Sequence, residues 1–318
     1  MKRVACFKAG ATAISSVSEI EPIIDLQKEL ENAGVREVLE ALDQEMIGLA
    51  PVKSRLREIC ALLLVDNVRR RHGLMSEAPS LNMAFTGNPG TGKTTVAARM
   101  AGVLYRLGFT SRDRLVSVTP DDLLSDTIGQ TAQRTKDAIT RAAGGVLLID
   151  QAHFLLRGDN GFGQEALEIL LQVMERPEAE VVFILTGYTR EMQLLYSSMA
   201  GIRSRIAHHI EFPDYDEEEL LDIAEAMLMR QNYRFSDSGR EAMIRFIAQR
   251  RTEPFFGNGR TIRNALDIAR LRQANRLVAI GGQVTPAQLQ TLEAPDVLGE
   301  RLFAHPAPSS LSGSDNRA

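Results

Sequence analysis

The stretch Gly87-Asn88-Pro89-Gly90-Thr91-Gly92-Lys93-Thr94 decides the fold class. It fits the pattern G-x-x-x-x-G-K-[S/T] without a mismatch, and it stands between a strand-like run, 82–86, and a helical run, 95–107. Glycines let backbone N–H groups curve around phosphates, and the N-terminus of the following helix adds a partial positive charge. We expect Lys93 to contact the β- and γ-phosphates of ATP, and Thr94 to offer its hydroxyl to Mg²⁺. All residues of the stretch, together with Thr95, form the predicted nucleotide-binding set.

Apolar, strand-like runs alternate with helical patterns on both sides of this stretch. The runs cover 82–86, 115–118, 146–150, 181–186 and 207–212. This alternation predicts an α/β fold, with a parallel sheet that helices wrap on both faces. After Pro213 the pattern becomes helical to about Ile280, which predicts a small, all-helical C-terminal lid domain.

These changes of pattern divide the chain into four parts. We expect an N-terminal helical linker over 1–40, an α/β nucleotide-binding domain over 41–213 and a helical lid domain over 214–295. The remaining segment, 296–318, is rich in Pro, Ser and Gly and is expected to be disordered.

Composition excludes several classes of protein. The chain has 318 residues, of which 44% are hydrophobic and 25% charged, and a formal net charge of −4. A mildly acidic chain gives no general reason to expect nucleic acid or an anionic membrane as a partner. Cys6 and Cys60 are too few for a disulfide framework, and no apolar run approaches the roughly 20 residues of a membrane span. We therefore expect a protein of the cytoplasm, or of the plastid stroma if the source is an alga.

The run Val146-Leu147-Leu148-Ile149 ends in Asp150, at the tip of a predicted strand. A carboxylate in that place is expected to hold Mg²⁺, directly or through water. The next residue is Gln151, whose carboxamide can orient a water molecule but cannot take its proton. Loss of a general base slows a reaction by about 10²–10⁴-fold. Another acid could replace it, and that alternative stays open.

With these motifs placed, the chain resembles the red-type Rubisco activases, the CbbX group of the AAA+ ATPases, over about 40–277. Four stretches carry the resemblance: FTGNPGTGKTT (85–95), GQEALEILLQVME (163–175), RSRIAHHIEFPDY (203–215) and RTIRNAL (260–266). The resemblance implies an ATP- and Mg²⁺-dependent hexameric ring. Such a ring pulls on the end of the Rubisco large subunit to free trapped sugar phosphate, and ribulose bisphosphate is a possible regulator.

The same resemblance implies roles for several arginines. Arg205 is similar to the arginine finger that reaches the γ-phosphate of a neighbouring subunit, and Arg203 is the second choice. Arg260 is similar to the lid arginine that touches the phosphate within its own subunit, with Arg263 one helical turn further on as the alternative. A cation in either place would neutralise the charge that develops on the transferred phosphoryl group.

Two further positions follow from the resemblance. Ile47 and Gly48 are similar to part of the adenine pocket. A polar residue that senses the γ-phosphate is expected near Thr186-Gly187-Tyr188, but none stands out there.

The chain also departs from the group it resembles. Gln151 stands where hydrolysing AAA+ enzymes carry a Glu, and Ser125-Asp126-Thr127 stands where relatives carry a glycine and a pore-lining aromatic residue. The loop 158–163 is shortened. Together these departures favour a specialised or supporting subunit with weakened hydrolysis. Three alternatives stay open: a non-hydrolysing scaffold in a mixed ring, a remodeller of a client other than Rubisco, and a DNA-acting motor, which the charge disfavours.

Overall fold

The computed structural model describes residues 24–74, 79–127, 129–156, 161–176, 180–254 and 256–299. Residues 1–23 of the predicted linker, residues 300–318 of the predicted tail and part of the loop 158–163 lie outside these ranges. Among the described helices, none has the length and apolar character that crossing a membrane would require.

Strands alternate with helical segments from residue 83 to residue 212, as the sequence predicts, whereas a helix at Ala294–Val297 enters the segment from 296 that the sequence predicts to be disordered. The helices are α1 (Leu26–Asn32), α2 (Val35–Glu45), α3 (Ala50–Arg71), α4 (Lys93–Arg106), α5 (Pro120–Leu123), α6 (Gln130–Ala142), α7 (Phe162–Met174), α8 (Thr189–Ser198), α9 (Ala200–Arg205), α10 (Glu217–Met229), α11 (Asp237–Arg251), α12 (Asn258–Ile280), α13 (Pro286–Gln290) and α14 (Ala294–Val297), with a 3₁₀ helix at Ala152–Leu156. The strands are β1 (Met83–Gly87), β2 (Leu115–Val118), β3 (Val146–Ile149), β4 (Val182–Gly187), β5 (His208–Phe212), β6 (Arg234–Phe235) and β7 (Thr291–Leu292).

The central sheet is parallel and has the strand order β2-β3-β4-β1-β5. Strands β3 and β4 are buried along their whole length, as expected for strands covered on both faces. Parallel strands end at the same edge of a sheet, so the segments that follow β1, β3 and β4 lie side by side. This edge carries the predicted phosphate-binding stretch (87–94), Asp150 and Tyr188. The predicted fold class is confirmed.

Side chains of the sheet alternate between two hydrophobic cores. In β3, Val146 and Leu148 belong to one core, while Leu147 and Ile149 belong to the other. Such alternation follows from the two-residue repeat of a strand. The first core also contains buried residues of α3, α4 and the lid helices, and the second contains those of α6, α7 and α8.

The C-terminal domain is helical, with one addition. Strands β6 and β7 pair in parallel over two residues each, Arg234 with Thr291 and Phe235 with Leu292. This pairing ties the segment before α11 to the segment after α13. Periodicity along the sequence cannot reveal a pairing of this length.

The segment between α2 and α3 brings the N-terminal helices to the sheet edge. Gly48 and Leu49 have φ values of 61° and 54°, and these two consecutive left-handed residues turn the chain sharply into α3. Pro51 then stands in the first turn of that helix, where its missing N–H leaves no bond unmade. Residues 45–47, just before this turn, border the cavity described next.

Candidate functional site

A cavity of about 780 Å³ lies at the sheet edge, between the α/β domain and the lid. Residues of the phosphate-binding stretch, the end of β3, α10 and the start of α12 line it. The predicted site residues among them are Ile47, Pro89, Gly90, Gly92, Lys93, Thr94, Thr95, Asp150, Gln151, Arg260 and Arg263. Those that do not line it are Gly48, Gly87, Asn88, Thr91, Arg203 and Arg205.

The floor of the cavity is the N-terminus of α4. Gly92 is its N-cap and has no side chain with which to cap the first turn, so the N–H groups there have no local side-chain acceptor. Gly92 has a φ of 94°, and a Cβ on it would lie 2.6 Å from Met46 Cε. The loop therefore needs glycine at this position, and the uncapped helix end is suited to an anion.

Lys93 folds back onto this loop. Its ammonium donates to the carbonyl oxygens of Gly87 at 2.9 Å and Asn88 at 2.6 Å, and to Thr91 Oγ1 at 3.2 Å. Burial lowers the pKa of Lys93 to about 8, although the carboxylate of Asp150 opposes the shift. Lys93 is therefore still mostly protonated at neutral pH, but it loses its proton at a lower pH than an exposed lysine does.

Asp150 and Gln151 follow β3 directly and share a partner on β4. The Thr186 hydroxyl donates to Asp150 Oδ1, and the Gln151 N–H donates to Thr186 Oγ1 at 3.1 Å. Thr186 is fully buried. The expectation that no polar residue stands out near 186–188 is wrong. A threonine closing an apolar strand was the available signal, but its partners come from a strand 36 residues away in the chain.

Part of the cavity lining is apolar. This part is formed by Met46, Ile47, Tyr215, Ile223, Ala226 and Met227. Flat apolar walls of this kind suit a heteroaromatic ring. Of these residues the sequence pointed only to Ile47. Met46 is its neighbour in the chain, whereas Tyr215 and the three residues of α10 reach this wall only through the docking of the lid. Gly48 instead faces α10, where a Cβ on it would lie 1.9 Å from Glu219 Oε1.

The lining also contains several cations. Arg260 and Arg263 come from the start of α12 and Arg230 follows α10, so all three belong to the lid. The carboxylates that line the described cavity are those of Glu45 and Asp150. With Lys93 added, the cations outnumber the carboxylates, so the cavity favours a polyanion.

Arg203 and Arg205 lie elsewhere, on α9. Arg205 bonds Glu175 Oε1 through Nη2 at 3.0 Å and Nε at 3.3 Å. Both side chains remain nearly half exposed, so the pair is a surface ion pair of small energy. Glu175 is the C-cap of α7, within one of the stretches that carry the resemblance.

The segment Ser125-Asp126-Thr127 links α5 and α6. Ser125 Oγ donates to Gln130 Oε1 at 2.9 Å, while Asp126 and Thr127 are exposed. The two exposed residues of this segment, Asp126 and Thr127, are therefore both polar.

Two family models match adjoining parts of the chain. The model for the ATPase family associated with various cellular activities (AAA) matches residues 83–214, and the AAA lid domain matches residues 216–302. Within the solved structures, the AAA domain of FIGL-1 in complex with ADP aligns with a TM-score of 0.58. It covers 83% of this chain and 85% of that one, and at 18% identity it shows the fold alone.

Curated relatives match over almost the whole chain. Protein CbbX of Cereibacter sphaeroides is 54% identical over 88% of this chain and 92% of its own length. The chloroplastic ribulose bisphosphate carboxylase/oxygenase activase of Cyanidioschyzon merolae is 49% identical, over 91% of this chain and 99% of its own. The CfxQ homolog of Pyropia yezoensis is 48% identical, over 90% of this chain and 96% of its own length.

Proposed function

This chain belongs to the CbbX family of AAA ATPases, and we propose that it is an ATP-binding subunit of a Rubisco activase whose own hydrolysis is slow. The observation that carries the second half of the proposal is Gln151. It follows Asp150 in the lining of a cavity whose other residues are those expected of an ATPase.

The residues of the cavity fit ATP with Mg²⁺. The apolar part of the lining suits adenine, and the uncapped N-terminus of α4 with Lys93 suits the phosphates. Thr94 and Asp150 are the oxygen donors that would hold the metal, which neutralises charge on the phosphates when bound. In the described ranges no group of three or more His, Cys, Asp or Glu could hold a metal ion by itself.

Gln151 removes the proton acceptor from this site. Its carboxamide can still orient water, but the lost base slows hydrolysis by about 10²–10⁴-fold. Glu45 is the other carboxylate that lines the described cavity besides Asp150. It is bonded to Arg99 and is the chain neighbour of Met46, part of the apolar lining, so we do not expect it to act as the base.

Restoring the carboxylate tests this point. We expect Gln151→Glu to raise steady-state phosphate release by about tenfold or more in assembled rings, because the other site residues are present. Gln249→Glu is the matched control, since it adds the same charge at an exposed position of α11. A Gln151→Glu protein no faster than the control would mean that the site is altered beyond this residue.

The proposed client is the Rubisco large subunit, and the proposed assembly is a hexameric ring that releases inhibitory sugar phosphate. The relative from Cyanidioschyzon merolae, named as a chloroplastic Rubisco activase, supports the client and, if the source is an alga, the plastid stroma as the compartment. Reactivation of inhibited Rubisco by the purified protein, with ATP and with or without ribulose bisphosphate, tests client and regulator together. Co-purification with a different protein, without any effect on Rubisco, would favour a remodeller of another client.

A second candidate function is that of a supporting subunit in a mixed ring. Gln151 favours it, and so does the polar, exposed segment at Asp126 and Thr127, which offers neither bulk nor apolar area to grip a threaded chain. Such a subunit would hold ATP and lend Arg205 to the site of an active neighbour.

A further inference from the structure

The N-terminus of α12 touches the phosphate-binding loop through backbone atoms. The Gly259 N–H donates to the Gly90 carbonyl oxygen at 3.2 Å. A Cβ on Gly90, whose φ is 73°, would lie 2.2 Å from the Gly257 carbonyl oxygen. A side chain on Gly90 would therefore push the lid away from the loop.

One buried side chain of the lid, that of Asn258, extends this contact to the segment between the two domains. Asn258 Oδ1 accepts from the Tyr215 N–H at 3.1 Å. Its Nδ2 donates to Asp214 Oδ1 at 2.7 Å and to the Pro89 carbonyl oxygen at 3.3 Å. Asn258 is completely buried and has a φ of 45°, a left-handed conformation that Asn adopts more readily than most residues. Its carboxamide thus contacts two separate segments at once, Asp214-Tyr215 and the phosphate-binding loop at Pro89.

The carboxylate of Asp214 is shared between the lid and the loop. Besides Asn258, it accepts from Asn88 Nδ2, at 3.0 Å on Oδ1 and 2.8 Å on Oδ2. Asn88 belongs to the phosphate-binding loop, so Asp214 links the loop to the first residue of α12. Tyr215 adds a further link, because its hydroxyl donates to the Thr91 carbonyl oxygen at 3.3 Å.

Arg260 follows Asn258 by two residues and lines the cavity. A helix advances about 1.5 Å per residue, so the placement of its first turn sets where the Cα of Arg260 lies and which part of the cavity its side chain can reach. Arg260 is close enough to Lys93 to influence it electrostatically. The hydrogen bonds of Asn258 hold the first turn of α12, and the position of that turn sets the position of Arg260.

We propose that Asn258 is a positioning residue, which with Asp214 holds the start of α12 against the phosphate-binding loop and so places Arg260 at the terminal phosphate of ATP. The inference rests on the proposed function, because it needs ATP in this cavity. It concerns nucleotide binding within one subunit, and it is independent of ring composition and of Gln151.

The test uses Asn258→Asp in the full-length chain. The substitution keeps the shape and the acceptor for the Tyr215 N–H, but it sets a carboxylate against Asp214. We expect the affinity for a fluorescent, non-hydrolysable ATP analogue to fall about tenfold and that for ADP to change within about twofold. Asn264→Asp, the same change at an exposed position of α12, is the matched control and should leave both affinities unchanged.

Two combinations separate positioning from a general structural role. In an Arg260→Ala background, Asn258→Asp should weaken the ATP analogue by no more than about twofold, because its effect passes through Arg260. Adding Asp214→Asn to Asn258→Asp returns a donor to the pair and should recover part of the affinity. Asn258 is buried, so Asn258→Asp could also impair folding, whereas Asp214 is exposed. Asp214→Ala should likewise weaken binding of the ATP analogue and leave that of ADP nearly unchanged.

Two results would overturn the inference. One is an equal loss for ATP analogue and ADP in Asn258→Asp and Asp214→Ala; the other is a loss that adds in full to that of Arg260→Ala. If the wild-type chain bound neither nucleotide, the proposed function would fail as well. Wild-type binding with unselective variants would overturn this inference alone.

Discussion

At the residue scale, Gln151 differs from a catalytic glutamate by a nitrogen where a carboxylate oxygen would accept a proton. Its backbone has a φ of 57°, a conformation that is strained for a residue with a Cβ. The bond from its N–H to Thr186 Oγ1 helps to hold that conformation. The donor in this bond is the backbone N–H of residue 151, which a glutamate also has, so a glutamate at this position would keep the same geometry. Only the end of the side chain differs, and hydrolysis can therefore be lost while binding is retained.

Nucleotide binding should depend on the Lys93 ammonium. We expect micromolar affinity for ATP at pH 7, where a lysine with a pKa of about 8 is still largely protonated. Lys93→Ala should weaken ATP binding by at least about a hundredfold, or about 2.8 kcal/mol at about 1.4 kcal/mol per factor of ten. Lys136→Ala, on the exposed side of α6, is the control in the same calorimetric titration. Equal affinities for the two variants would place the binding site elsewhere.

At the element scale, β5 shows how a strand places identical residues in opposite environments. His208 and His209 are adjacent, and the alternation of the strand buries the first and leaves the second exposed. His208 packs on the side of the sheet covered by α3. Burial lowers its pKa, and the neighbouring Arg55 and His209 lower it further.

This burial predicts a pH-dependent loss of stability. Since the folded-state pKa of His208 lies below 6.5, the unfolded chain takes up the proton first as the pH falls through 6.5. Stability contributed by neutral His208 is thus present above pH 6.5 and lost below it. We expect His208→Gln to lose less unfolding free energy between pH 7 and pH 5 than the wild type, in urea titrations. The exposed His72→Gln variant should behave as wild type, and identical slopes for all three proteins would contradict the prediction.

At the scale of the whole molecule, the parts of the proposed ATPase site face two directions. Lys93, Asp150 and Gln151 face the cavity of their own subunit, whereas Arg205 is exposed on α9 and bonded to Glu175. An exposed ion pair is weak, so Arg205 can exchange Glu175 for a stronger anion across an interface. A subunit with slow hydrolysis could therefore still serve a neighbour.

Mixed rings with an intact relative test this idea. We expect Arg205→Ala to reduce the ATPase of the partner by about tenfold or more, although no residue of the partner is changed. Gln151→Ala should have a much smaller effect there. Arg245→Ala, at an exposed position of α11, is the control, and mass measurement of the co-expressed complex gives its composition. The idea fails if only homomers form, or if the Arg205→Ala mixture is as fast as wild type.

The features that the sequence alone determined are local ones. The phosphate-binding loop, the parallel α/β fold, the helical lid and the strand that ends at Asp150 were predicted from motif spacing and periodicity, which act over a few residues. The same reasoning placed Asp150 and Gln151 at the edge of the sheet, because both directly follow a predicted buried strand.

Tertiary structure alone decided the contacts between distant segments. The partner of Asp150 is Thr186, the apolar wall facing Ile47 comes from α10, and Asn258 joins the lid to the loop. Each depends on strand order or on how the lid docks against the sheet. Those arrangements follow from the packing of two whole cores, and a pattern that repeats every two or 3.6 residues carries no information about them.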